Sequence, residues 1–278
     1  MFSWIYDFPT WVMVLVFGGV STVAGLAGMF LVRPYFHKWI HGQDKTNEMV
    51  SLSMASFSVI YGILLGLVAV GVYANYAGMA DNVTREATTL AGLYSDTSGF
   101  SEPNRTTLRT DLRAYAKATI ERDWPDQARG VVPLAGTAQM VTIQRDFEAI
   151  HPTEKTEEIA YAEAFGQFEK LVELRSGRLT SISQGIPALL WWVLWIGAIL
   201  SIGLVWMLDM EAHIHGILTC VLSMFLGIVI FVIVDLDKPF RGDGIVNADA
   251  YSLVYRTLMS SPADVVPPAA IPSGKVSP

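Results

Sequence analysis
The stretch PALLWWVLWIGAILSIGLVWML (Pro187–Leu208), the turn DMEAH (Asp209–His213) and the run IHGILTCVLSMFLGIVIFVIV (Ile214–Val234) decide the fold class. Neither long run holds an Asp, Glu, Lys or Arg. Each is long enough for a hydrocarbon core of about 30 Å, which takes about 20 apolar residues to cross as a helix. Backbone groups in lipid have no water to pair with, so such a run must satisfy them internally as a helix. The short turn between the runs predicts an antiparallel transmembrane hairpin. Trp191, Trp192 and Trp195 near the start of the first run and Trp206 near its end suit the two interfacial belts.

Working outward, two more runs of this kind precede the hairpin, at Pro9–Val32 and at about Ser51–Tyr76. The first opens at Trp11 and is expected to close at Arg33-Pro34, where proline ends a helix. It is too long for a signal core and has no basic residue before it, so it reads as a retained anchor. The expected fold is an all-α membrane protein: four transmembrane helices with a helical extramembrane domain between helices 2 and 3. The expected division is 1–77 for the first two spans and 78–184 for the extramembrane domain. The hairpin takes 185–235, and a short helix and disordered tail take 236–278.

Composition agrees. At 52% hydrophobic and 16% charged residues, the chain is too apolar for an ordinary soluble domain. A net charge of −7 argues against a nucleic-acid partner, which wants a basic stripe. The single cysteine, Cys220, lies inside an apolar run, so neither a disulfide framework nor a cysteine metal site is expected.

Two spans carry small-residue faces. In the first, Gly18, Ser21, Gly25 and Gly28 recur every three or four residues, a pattern that lets helices approach closely in lipid. In the second, Ser51, Ala55, Ser58, Gly62, Gly66, Ala69 and Tyr73 share one face. That stripe has two readings: a tight helix–helix contact, or a pore-lining face where small and hydroxyl side chains leave room for water and ions. Both readings are compatible in an oligomer.

Between the second and third spans the chain is polar with helical periodicity. Leu108, Leu112, Tyr115 and Ile120 follow Pro103 at helical spacing, and Trp124-Pro125 is expected to stop that helix. A loop with Gly130, Pro133 and Gly136 follows. From about Thr153 to Ser183, Tyr161, Phe165, Phe168, Leu171 and Leu174 form one apolar side of an amphipathic helix expected to feed directly into the third span. Four spans place both termini and this domain on one side. Nearby basic residues (Arg85, Lys170, Arg175, Arg178, Lys238 and Arg241, against Arg33, Lys38 and Lys45) favour a cytoplasmic side. After the fourth span a short helix is expected at Asp249–Met259. The tail from Ser260, rich in Pro, Ala and Ser, reads as disordered.

No catalytic constellation emerges. His37 and His41 are spaced as metal ligands can be but sit beside Trp39, and interfacial anchoring explains them better. His213 and His215 flank the hairpin turn, where capping is the simpler role. P-loop, GxSxG and GxGxxG patterns are not found, so neither an enzyme nor a cofactor or metal site is expected. No span carries a central charge, which counts against an ion-coupled transporter. Charges gather instead at span edges. Asp235, Asp237, Lys238 and Arg241 follow the fourth span, and Asn47 and Glu48 precede the second. Either these are helix stops, or Glu48, Asp235 and Asp237 form charged rings at a pore mouth once subunits assemble.

Several stretches carry a resemblance. Tyr61-Gly-Ile-Leu-Leu-Gly-Leu, Asn82-Val-Thr-Arg-Glu-Ala-Thr-Thr-Leu-Ala-Gly-Leu-Tyr94, Arg109-Thr-Asp-Leu-Arg-Ala-Tyr115, Glu121-Arg-Asp-Trp-Pro125 and Asp237-Lys-Pro-Phe-Arg-Gly242 resemble the bestrophin-like family of bacterial membrane proteins, over about residues 45–255. The resemblance implies an analogy to bestrophins, oligomeric ion channels with four spans and cytoplasmic helices. The resulting expectation is a homo-oligomeric ion channel of the inner (plasma) membrane. Its partners are then the lipid bilayer, further copies of itself and inorganic ions, with cations favoured by the acidic charge. The alternative is a non-conducting scaffold or regulatory subunit.

Overall fold
The computed structural model describes residues 6, 8–40, 46–182, 184–241 and 246–260, with side chains for all of these except 33–34, 36–40 and 46. His37, His41, Lys38, Trp39, Lys45 and the tail beyond Ser260 therefore lie outside the described side chains. The described chain is helical throughout: α1 (Thr10–Ile40), α2 (Thr46–Asp96), α3 (Asn104–Ala118), α4 (Trp124–Ala128), α5 (Ala135–Ala149), α6 (Lys155–Ser181), α7 (Ala188–Trp206), α8 (Ala212–Asp237) and α9 (Asp249–Val254). Among the described residues, α1, α2, α7 and α8 are the helices long and apolar enough to cross a membrane. The chain divides into two compact units, one of residues 1–81, 127–131 and 180–246, the other of 82–126, 132–179 and 247–278.

In the first unit, α1 packs along α8 through the small-residue face. A side chain at Gly25 would collide with Ser223 of α8, and one at Gly28 with the indole of Trp206. Trp206 donates its indole N–H to the Gly25 carbonyl at 3.0 Å, so this tryptophan holds α1 as well as marking a span end. Without a hydrophobic force between helices in lipid, such close packing and hydrogen bonding carry the association. The core joins Met13 of α1, Tyr61, Leu65 and Val72 of α2, Leu194 and Ala198 of α7, and Leu226, Ile230, Phe231, Ile233 and Val234 of α8. Tyr61, a polar tip in an apolar setting, donates its hydroxyl to the Leu194 carbonyl at 2.7 Å.

The turn between α7 and α8 is pinned from outside. The Asn47 amide donates to the Asp209 carbonyl (2.7 Å) and its oxygen accepts the Asp209 N–H (2.8 Å). Asn47 thus acts as a clamp on the hairpin turn. His213 pairs with Glu211 at 3.4 Å on the exposed rim, while His215 is fully buried at the start of α8.

The second unit is built on aromatics. The Phe147 ring of α5 lies 5.4–6.4 Å from those of Phe100, Tyr161, Phe165 and Phe168, within the range where edge-to-face and offset pairs attract. Leu108, Leu112 and Tyr115 of α3 are buried as their spacing requires.

Four local expectations change. α1 continues past Arg33-Pro34 to Ile40. Trp124-Pro125 does not stop the helical path: α3 ends at Ala118, a π turn spans Thr119–Asp123, and α4 begins at Trp124, with Pro125 in the first turn where its missing N–H costs nothing. The loop holding Gly130, Pro133 and Gly136 is shorter than expected, because α5 starts at Ala135 and buries Gly136, Met140, Ile143 and Phe147. Finally, α6 does not run into α7. It ends at Ser181, and an irregular linker intervenes before Pro187, whose ring suits a helix start.

Candidate functional site
Successive helix residues turn by about 100°, which divides the membrane part of α2 into three faces. One, carrying Tyr61, Leu65 and Val72, is buried against α7 and α8. Roughly 90° around from it lies the stripe read from the sequence. Ser51, Ala55, Ser58, Gly62, Gly66 and Tyr73 on it are exposed and Ala69 is half-buried. The remaining face carries Leu52, Val59, Ile63, Leu67 and Val70, also exposed. A Cβ placed at Gly62 or Gly66 meets nothing within 4 Å. Among the described residues the glycine pair of α2 therefore makes no helix contact, in contrast to Gly25 and Gly28 of α1.

The edge charges separate into two groups within this unit. Glu48 is exposed on the first turn of α2, beside Asn47 and the α7–α8 turn. Asp235 and Asp237 stand at the far end of α8, which places them at the opposite membrane edge from Glu48. Asp237 is 9% exposed and accepts the Ile186 N–H at 2.6 Å. Its neighbour Lys238 donates to the Gln184 carbonyl at 2.7 Å. Together they hold the α6–α7 linker. Beside that linker lies a cavity of about 700 Å³, lined by Leu67, Val68, Gly71, Val72, Asn75, Leu190, residues 184–187 and Asp237. Arg241 donates to the Arg129 carbonyl and lies 5.7 Å from the Tyr6 ring centre. Tyr6 donates its hydroxyl to the Val234 carbonyl at 2.9 Å. Burial, with Asp237 and Asp235 adding to it, raises the Tyr6 phenol above its ordinary range, so it stays a neutral donor.

The second unit holds an arrangement the sequence reading missed. Glu86 of α2 and Arg178 of α6, both fully buried, pair through two hydrogen bonds, Nε to Oε2 at 2.7 Å and Nη2 to Oε1 at 2.9 Å. The Tyr115 hydroxyl donates to Glu86 Oε1 at 3.2 Å and lies 3.4 Å from that of Tyr251. The guanidinium sits 4.9 Å from the Trp124 ring centre, a cation–π distance. Burial alone would disfavour the Arg178 charge, but the Glu86 carboxylate outweighs it and holds the guanidinium above its ordinary value. Burial pushes the Tyr115 phenol up to about 12, so it remains protonated beside the pair. Nearby, Arg175 lies 3.8 Å from the buried Asp123 carboxylate, which accepts the Gly136 N–H at 3.0 Å at the α5 N-terminus. No cluster of three or more potential metal ligands occurs among the described residues.

The Bestrophin-like domain family matches residues 19–251, most of the chain. The chain belongs to the bestrophin-like family. The arrangement of spans and helices agrees with solved bestrophin homologs. An isoleucine-to-threonine variant of a bacterial bestrophin homolog from Klebsiella pneumoniae shares the fold with a TM-score of 0.61 at 11% identity, over 89% of this chain and 99% of that one. A tyrosine-to-alanine variant of the same homolog gives 0.62 at 12% identity, over 87% and 96%. At such identities the likeness is one of fold. No curated protein matches at the level of sequence. This bestrophin-like chain is thus a multi-pass membrane protein of a family whose namesakes, the bestrophins, are ion channels rather than enzymes.

Proposed function
We propose that this bestrophin-like protein assembles with copies of itself into a cation-permeable channel of the inner (plasma) membrane. The pore is lined by the small and polar face of α2: Ser51, Ala55, Ser58, Gly62, Gly66, Ala69 and Tyr73. The observation that carries the reading is that this face is left open by the chain's own packing while the matching face of α1 is filled. Small and hydroxyl side chains on an open helix face leave room for hydrated ions when copies surround an axis. The net charge of −7 and the carboxylates of Glu48 at one edge and Asp235 and Asp237 at the other favour cations. The basic residues Arg85, Lys170, Lys238 and Arg241 support a cytoplasmic extramembrane domain. Arg178 is committed to an ion pair and adds nothing to that bias.

The test is electrical. The purified protein, its oligomeric state established, is recorded in planar bilayers under a potassium chloride gradient. Discrete currents reversing toward the potassium potential are the expected result. Thiol reagents should then block Ser58→Cys and Gly62→Cys in a Cys220→Ser background. Block confined to Ile63→Cys or Leu67→Cys would move the lining to the apolar face of α2. A well-assembled oligomer that stays silent across voltage and pH would favour a non-conducting scaffold or regulatory subunit, with the same face used only for packing.

A further inference from the structure
Within the second unit α5 is fastened differently at its two ends. At the first turn Asp123 Oδ1 accepts the Gly136 N–H at 3.0 Å, and Arg175 Nη2 donates to Thr137 Oγ1 at 2.8 Å. A side chain at Gly136 would collide with Asp123 Oδ2, so glycine permits the approach. At the last turn the contact is between two acids.

Asp146 of α5 stands within hydrogen-bonding reach of Asp111 of α3. Two ionised carboxylates offer acceptors only, so a bond between them exists only when one of them carries a proton. Asp146 Oδ2 is buried, and among the described residues no other hydrogen-bond donor reaches it. The acids are brought together by their neighbours. Leu108 and Leu112 flank Asp111, Ile143 and Phe147 flank Asp146, and all four are fully buried where α3 packs on α5.

The charges beside the pair have other partners or face water. Arg109 and Arg113 of α3 bond to Thr97 and Tyr94. Glu148 of α5 accepts from Gln144, and Arg145 is exposed. Burial first, and the Asp146 carboxylate second, raise the Asp111 carboxyl, and no cation offsets them among the described residues.

We propose that α5 is a pH-responsive element, in which Asp111 and Asp146 share one proton whose release loosens the C-terminal half of α5 from α3. In the closed contact the protonated carboxyl donates to the ionised one, and the pair holds a single negative charge. Loss of the proton to solvent leaves two negative charges facing each other, and separation returns both to water. Opening is therefore favoured as pH rises. Asp123, at the other end of α5, is also raised by burial, so variants of the pair are needed to separate the two ends. The proposal is independent of the α2 face and of conduction.

The experiment is hydrogen exchange of the full-length purified protein in detergent at about pH 5 and about pH 7.5, corrected for the intrinsic pH dependence of exchange. The opening equilibrium of residues 143–149 is expected to rise about fivefold at the higher pH; carboxyl values of 3.8 when open and about 6 when closed give about tenfold before solvent screening. Amides of α8 serve as the unchanged reference. Asp111→Asn gives Asp146 a permanent donor and should hold α5 closed at both pH values, and Asp146→Asn should do the same toward Asp111. Equal opening of residues 143–149 at both pH values in the native protein would overturn the proposal, as would an undiminished pH dependence in both variants. If EDTA alone loosens α5 at the higher pH, a divalent cation and not a proton joins the acids, and the proposal fails.

Discussion
Replacing Glu86 by glutamine keeps the shape of the side chain and removes the carboxylate charge bonded to the buried Arg178 guanidinium. In the native protein that guanidinium has two charge-assisted bonds, at 2.7 and 2.9 Å, and zero exposure. The glutamine oxygen can keep one of them, but its NH₂ turns a donor toward a donor. The positive charge then loses its bonded carboxylate, and breaking one partner out of a buried pair typically costs about 3–5 kcal/mol. The Trp124 ring face at 4.9 Å softens this by about 1 kcal/mol, so a loss of about 3 kcal/mol is expected. Hydrogen exchange of the full-length protein in detergent reads the change locally, as a roughly hundredfold rise in the opening equilibrium of buried α3 and α6 amides. The double variant Glu86→Leu/Arg178→Met removes both charges together and should recover most of the loss. If Glu86→Gln changes exchange by less than about fivefold, the pair is not the anchor of this unit. If the double variant is as damaged as the single one, uncompensated charge is not the cause.

Gly25→Val should break the α1–α8 contact, costing about 1–3 kcal/mol by overpacking, whereas Gly62→Val should leave the fold of the single chain unchanged; detergent unfolding of both variants checks the contrast. Burial and the Asp146 carboxylate raise Asp111 from 3.8 to about 6. Because the folded state holds that proton more tightly, this contribution to stability is full below about pH 4 and is lost as pH rises through about 6. Asp111→Asn should flatten that part of the pH–stability profile, and an unchanged profile would remove the carboxyl pair as its source. Asn47→Ala should free the α7–α8 turn, costing about 1 kcal/mol per lost hydrogen bond, seen as faster amide exchange at Asp209 with no change at Ile186.

Much of the fold is legible in the sequence because a bilayer constrains it so strongly. Four apolar runs longer than the hydrocarbon thickness admit one solution each, and the hairpin turn leaves no room for another topology. The first-span face of Gly18, Ser21, Gly25 and Gly28 is readable for the same reason, since small residues recurring at helical spacing in lipid serve contact. Local punctuation is less reliable. Pro34 and Pro125 look like helix stops, yet α1 runs on past Pro34 to Ile40, and Pro125 sits in the first turn of α4. Gly136 hides α5 because glycine reads as loop, while here it allows the Asp123 carboxylate to approach the helix N-terminus. Glu86 and Arg178 escape notice for a further reason: a charge on a polar helix is normally solvated. The signal is position. Val83, Leu90 and Leu93 place Glu86 on the buried face of α2, and Leu171 and Leu174 do the same for Arg178 on α6. A lone charge at an apolar position of each of two helices, opposite in sign, is the pattern that reveals such a pair. The α2 stripe shows the opposite limit. Sequence locates the face and the structure leaves it open; the proposed occupant is a second copy of the chain.

The unequal use of glycine in α1 and α2 bears on how this protein comes to its working form. The close approaches at Gly25 and Gly28 of α1 are met within one polypeptide, so docking of that helix needs no second chain. In the proposed oligomer, association through the α2 face is then a separate, bimolecular event in the plane of the membrane. Its extent follows the ratio of protein to lipid, and dilution with lipid should return intact, folded subunits rather than unfolded ones.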